Sequence, residues 1–142
     1  MPGLALTDLW ETRESPADNS SSRDAADRPV RLEPPVNGSI FRIVEFPPDS
    51  AWRSNANADI AFSSIGAHSA HKGGSSDPMK HKTETIDYIV VLKGEMHAVL
   101  DKDEVLLKEG DIFIQRGTVH SWSVRGDKPC IIAVTLINSR QI

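Results

Sequence analysis

Residues 79–122, MKHKTETIDYIVVLKGEMHAVLDKDEVLLKEGDIFIQRGTVHSW, decide the fold. Short apolar runs rich in Ile, Val and Leu are cut by Lys93-Gly94, Asp101-Lys102-Asp103, Glu109-Gly110-Asp111 and Arg116-Gly117. Runs too short for helices and bounded by turn residues read as strands. Strands are therefore expected over residues 85–92, 95–100, 104–108, 112–115 and 120–124, and further ones over 40–46, 60–65 and 130–137. Residues 66–80 are rich in glycine and serine and read as a loop, with His68 and His71 as surface residues. No long apolar stripe of period 3.6 competes, and only residues 4–12 leave room for a turn or two of helix. Many short strands at a regular rhythm imply an all-β sandwich or closed barrel, which disposes of exposed edges.

Composition narrows the function classes. A chain of 142 residues is the size of one domain and buries enough surface for a core with a modest pocket. With 16 basic and 20 acidic residues and no basic cluster, a nucleic-acid partner is not expected. The longest apolar runs fall far short of a membrane span, and no basic-then-apolar leader opens the chain, so a cytoplasmic protein is expected. Cys130 is the only cysteine, which excludes an internal disulfide and a thiolate zinc cage. Its neighbours Ile131 and Ile132 suggest a buried thiol. Residues 1–38 differ from the rest, being polar and turn-rich apart from Leu4, Leu6, Leu9 and Trp10. They read as an N-terminal arm docked by those apolar residues onto the barrel of residues 39–142 or onto a second subunit, with a flexible leader as the alternative; Trp10 reads as an anchor of the arm and Trp52 as an anchor of the loop that follows.

Side chains alternate between the two faces of a strand, so equal parity means a shared face. His81, Thr83, Asp87, Ile89 and Val91 share one face, while Tyr88, Val90 and Leu92 share the other. His120 and Trp122 share a face on a later strand. With these faces inward, His81, Asp87 and His120 could meet in the barrel, with Trp122 as a wall. Two imidazoles and a carboxylate suit either a metal site or acid–base catalysis. Thr83, Gln115, Arg116 and Trp122 are the candidates for contact with a small-molecule substrate. His97 reads as a strand-surface residue.

The spacing resembles that of the cupin superfamily, small β-barrels of jelly-roll or double-stranded β-helix type. The first family motif, G-x5-H-x-H-x3,4-E-x6-G, is matched by His81, Thr83, Asp87 and Gly94, with Gly74 one place early. The second, G-x5-P-x-G-x2-H-x3-N, is matched by Gly110, Gln115, Gly117, His120 and Val124, with the first gap one residue short. Thr83 stands where the family's second histidine is usual, and Asp87 where its glutamate is usual. The resemblance thus implies a divalent metal (zinc, iron, nickel or manganese) on His81, Asp87 and His120, or else a barrel that works without metal. It also implies a homodimer, since cupin barrels commonly pair through their sheets. Three functions fit the resemblance. The first is a lyase or isomerase that dehydrates, decarboxylates or cyclises a carbonyl- or hydroxyl-bearing compound of polyketide or aromatic type. In that reading His81, Asp87 and His120 are the catalytic groups. The second is a metal-dependent oxygenase, and the third a non-catalytic binding barrel.

Overall fold

The computed structural model describes residues 3–52 and 82–141. The expected strand at 60–65, the loop at 66–80 and His81 lie outside the described residues. Eight strands are present among the described residues: β1 (Ala5–Thr12), β2 (Ser39–Phe46), β3 (Thr85–Lys93), β4 (Met96–Leu100), β5 (Glu104–Leu107), β6 (Ile112–Arg116), β7 (His120–Ser123) and β8 (Cys130–Asn138). The only helical element among the described residues is a 3-10 turn at Asp49–Ala51. All described pairings are antiparallel, in a five-stranded sheet ordered β1-β2-β8-β3-β6 and a three-stranded sheet ordered β5-β4-β7. The all-β expectation holds, and the strand rhythm of residues 85–137 is recovered within a residue or two at each end.

The core lies between the inner faces of the two sheets. On β2 the inward residues are Ile40, Arg42, Val44 and Phe46, and on β8 they are Cys130, Ile132, Val134 and Leu136. On β3 the inward set is Thr85, Asp87, Ile89 and Val91, whereas Tyr88, Val90 and Leu92 are exposed. Alternation of this kind leaves register no freedom, because a slip by one residue would turn the apolar set into water. Gly94 takes a φ of +78° at the β3–β4 turn, and a Cβ there would come within 2.6 Å of the Pro129 carbonyl oxygen. Only glycine accommodates both constraints.

The N-terminal arm departs from expectation in its local structure. Residues 4–12 form no helix. β1 pairs with β2 from Ala5↔Glu45 to Thr12↔Ser39, with an irregularity between Asp8 and Trp10 that leaves Leu9 unpaired. The extra residue resets the alternation, as a β-bulge does. Asp8 opposes Arg42 and Glu11 opposes Ile40, so both acids share the inward side although they are three residues apart. Trp10 opposes Phe41 on the outer side and is 46% exposed, so it does not anchor the arm on its own barrel. Leu4, Leu6, Asp8 and Glu11 do that instead, whereas Trp52 is buried in the core as expected.

Candidate functional site

The inner faces of β2, β3, β7 and β8 enclose a cavity of about 80 Å³. That is room for several waters or a small organic fragment. Its walls are largely apolar: Val44 and Phe46 from β2, Ile89 from β3, Trp122 from β7, and Val134 and Leu136 from β8, with Leu4 and Leu6 closing one side. Arg42, Thr83, Asp87 and His120 are its polar lining groups.

Asp87 sits on β3 opposite Leu136 and Gln115 and is 5% exposed. Burial pushes its carboxyl from the ordinary 3.8 up to about 6, against the opposing pull of the Thr85 hydroxyl and the Arg42 charge. The Thr85 hydroxyl donates to Asp87 Oδ1 at 2.7 Å and lies 2.8 Å from the Thr83 hydroxyl. A chain of two hydroxyls therefore leads along the inner face of β3 to the carboxylate. Thr83, in the place of the family's second histidine, has its hydroxyl turned to Thr85.

His120 is 1% exposed, and its Nδ1 lies 2.7 Å from the Thr118 carbonyl oxygen. A carbonyl can only accept, so Nδ1 carries a hydrogen and donates it to Thr118. The imidazole packs edge-on to Trp122, with centroids 5.3 Å apart. Trp122 is itself held between Phe46 at 6.4 Å and Phe113 at 6.1 Å, a fixed aromatic wall.

The remaining expected site residues are placed differently. Arg116 is exposed and shares the outer face of β6 with Ile112 and Ile114, so it does not reach the cavity. The reason is alternation: with Gln115 turned in beside Asp87, its neighbour must turn out. Gln115 is 3% exposed and bonds the Thr118 hydroxyl through Nε2, while its Oε1 is buried with no partner among the described residues. It lies behind the lining rather than in it.

Arg42 was missed by the sequence reading. It is 1% exposed, and its guanidinium donates from Nε to Asp8 Oδ1 at 2.8 Å and from Nη2 to Asp8 Oδ2 at 3.4 Å. It also donates from Nη1 to the Leu32 carbonyl at 3.1 Å and from Nη2 to the Arg31 carbonyl. Burial draws it below its ordinary value while Asp8 pulls the other way. An arginine remains charged even so. Arg28 bridges Asp8 at 2.5 Å and Glu11 at 3.0 Å, and Arg31 reaches Glu11 at 2.9 Å. The signal for Arg42 was in the sequence: a cation at the same parity as Ile40, Val44 and Phe46. The outer parity of β2 also carries Phe41 and Ile43, which blurred it.

Residues 68–136 match the family model for the cupin domain. The barrel is a cupin. Over 122 residues the chain is 34% identical to the phomopsin biosynthesis cluster protein C' of Diaporthe leptostromiformis, covering 82% of this chain and 51% of the relative. Over 118 residues it is 28% identical to a cupin-domain-containing oxidoreductase of Neurospora crassa, covering 80% of this chain and 46% of the relative. The chain thus spans about half the length of these curated relatives. The crystal structure of a cupin superfamily protein from Desulfitobacterium hafniense superposes with a TM-score of 0.51 at 9% identity, over 97% of this chain and 80% of that one. That likeness is one of fold.

Cupins often hold a divalent metal. Among the described residues no three His, Cys, Asp or Glu side chains come together closely enough to hold an ion. Of the expected ligand set, Asp87 and His120 line the cavity and His81 lies outside the described residues. The described residues do not by themselves make a metal centre. No described helix is long and apolar enough to cross a membrane.

Proposed function

We propose that this cupin is a small-molecule enzyme of lyase or isomerase type, working by proton transfer on a compact carbonyl- or hydroxyl-bearing substrate of polyketide or aromatic kind. The observation that carries this reading is Asp87: a carboxyl held at about 6 in an apolar cavity that also contains an imidazole. Catalytic acids and bases work best when their proton affinity lies near the ambient pH. At neutral pH Asp87 is mostly ionised and removes a proton from the carbon beside a substrate carbonyl. His120 in its protonated form donates from Nε2 to the departing hydroxyl, which leaves as water. Thr85 and Thr83 orient the Asp87 carboxylate, and the wall of Trp122, Phe46 and Ile89 excludes bulk water. Occurrence of a relative in a biosynthesis cluster supports a place in small-molecule biosynthesis.

The test is nuclear magnetic resonance in deuterated water with a panel of small β-hydroxyketones and β-keto acids. Deuterium uptake at the α-carbon, or loss of water or carbon dioxide, should depend on Asp87 and His120. Variants Asp87→Asn and His120→Gln that turn over as fast as the wild type would refute the reading. Binding without turnover in the wild type would leave a binding barrel. A metal-dependent oxidoreductase is the second reading, favoured by the description of the Neurospora relative. Plasma mass spectrometry decides between them: about one equivalent of iron, lost in His120→Ala, would support it.

We further propose a homodimer formed on the outer face of β3 and β6. Tyr88 opposes Ile114 and Val90 opposes Ile112, and all four are exposed with Leu92, Ile112 at 70%. Apolar side chains joined in one patch indicate a contact surface, unlike single scattered ones.

A further inference from the structure

We propose that Arg42 anchors the ligand, and that the cavity takes a small apolar acid whose carboxylate rests on the Arg42 guanidinium. The inference rests on the cavity being the ligand site, and is independent of the chemistry done there. Four observations carry it. First, Arg42 lines the cavity, although the rest of the inner face of β2 is apolar. Placing a guanidinium there forfeits apolar burial, and a buried cation gains little stability over an apolar residue of similar size. Second, its hydrogen bonds to Asp8, Leu32 and Arg31 use four N–H groups. A guanidinium has five, so among the described residues one at Nη1 is left for a ligand oxygen.

Third, cations gather at this end of the barrel: buried Arg42 and Arg28 pair with buried Asp8 and Glu11, and Arg31, 44% exposed, adds a further guanidinium against Glu11 at the edge of the cluster. Fourth, the placement fits a ligand with two polar ends. Arg42 opposes Val134 across one side of β8, and Asp87 opposes Leu136 across the other. The two residues therefore rise from strands about 10 Å apart, since neighbouring strands lie about 4.8 Å apart. Val134 and Leu136 form the apolar floor between them. A compact carbon skeleton lying on that floor would have its carboxylate at Arg42 and its reacting carbon near Asp87 and His120.

Asp8 then has a second role as a counter-charge that moderates this anchor, and that distinguishes the proposal from a purely structural ion pair. The experiment measures binding of butyrate and of its neutral counterpart butyramide by quenching of tryptophan fluorescence and by saturation-transfer resonance. Wild-type protein should bind butyrate roughly tenfold more tightly than butyramide, as expected for a charge-assisted hydrogen bond. Asp8→Asn should tighten butyrate several-fold and leave butyramide unchanged, because the Arg42 charge is no longer offset. The double variant Asp8→Asn/Arg42→Gln, which removes the pair together, should bind the two probes alike. Equal wild-type affinities, no saturable butyrate binding, or an Asp8→Asn variant that gains nothing would each overturn the proposal. So would a double variant that keeps the preference. If the double variant fails to fold, the wild type and Asp8→Asn still decide. Loss of proton transfer with butyrate preference intact would refute the proposed function and leave this inference standing.

Discussion

Replacing Asp87 by Asn should stabilise the protein at neutral and alkaline pH while abolishing the proposed proton transfer. In the folded state the carboxyl is held at about 6 against an ordinary 3.8, chiefly by burial. The folded protein therefore binds a proton more tightly than the unfolded chain does. Stability from this group is fully present below pH 3.8, falls as pH rises between about 4 and 6, and is gone above that. Just over two pH units at 1.36 kcal/mol each make the full penalty about 3 kcal/mol. Asn keeps the volume and an oxygen to accept from Thr85, and carries no charge to desolvate. The two proteins should be matched in stability near pH 4, with the variant ahead by about 3 kcal/mol at pH 8. For a chain of this length that corresponds to a rise in Tm of about 10 °C. Urea denaturation of both proteins from pH 4 to 8, with chelator present throughout, measures the difference directly. A gap that stays constant with pH would refute the reasoning. A wild type that gains on the variant with rising pH would show that Thr85 and Arg42 outweigh burial and stabilise the ionised form.

Further outcomes follow from other residues. Gly94→Ala should lose about 2 kcal/mol or more in urea unfolding, since it places a Cβ at positive φ and 2.6 Å from the Pro129 oxygen; an unchanged midpoint would show that the turn relaxes. Cys130 is fully buried, and burial, aided by the Glu95 charge, pushes its thiol up to about 11. An aromatic disulfide reagent should label it only after unfolding, and rapid labelling of native protein would contradict that placement. Light scattering should find a dimer that Ile112→Lys/Ile114→Glu converts to monomer; a monomeric wild type would remove the proposed contact.

Much of the barrel was legible in the sequence because its causes are local. Turn glycines and the two-residue period of β3 required only neighbouring residues to be compared. That period put Asp87 with Thr83, Ile89 and Val91 on one face and Tyr88 with Val90 and Leu92 on the other, as the structure has them. The same period held on β7, where His120 and Trp122 line the cavity. Parity alone could not decide β6, where Gln115 and Arg116 were both named and only one can face inward.

The sequence by itself determined an all-β chain, the strand rhythm from residue 85 onward, and an inward carboxyl on β3. Only the tertiary structure decided the role of the N-terminal arm and of Arg42. β1 is a strand because β2 offers it a ladder of hydrogen-bonding partners 27 to 40 residues away, and no local preference encodes a partner at that distance. The unpaired Leu9 shifts the alternation of β1 by one residue, so that Asp8 and Glu11 face inward together and Trp10 faces out. A bulge of this kind exists only relative to the strand it opposes. The ion pair between Asp8 and Arg42 depends on that pairing, and with it the setting of the guanidinium that lines the cavity.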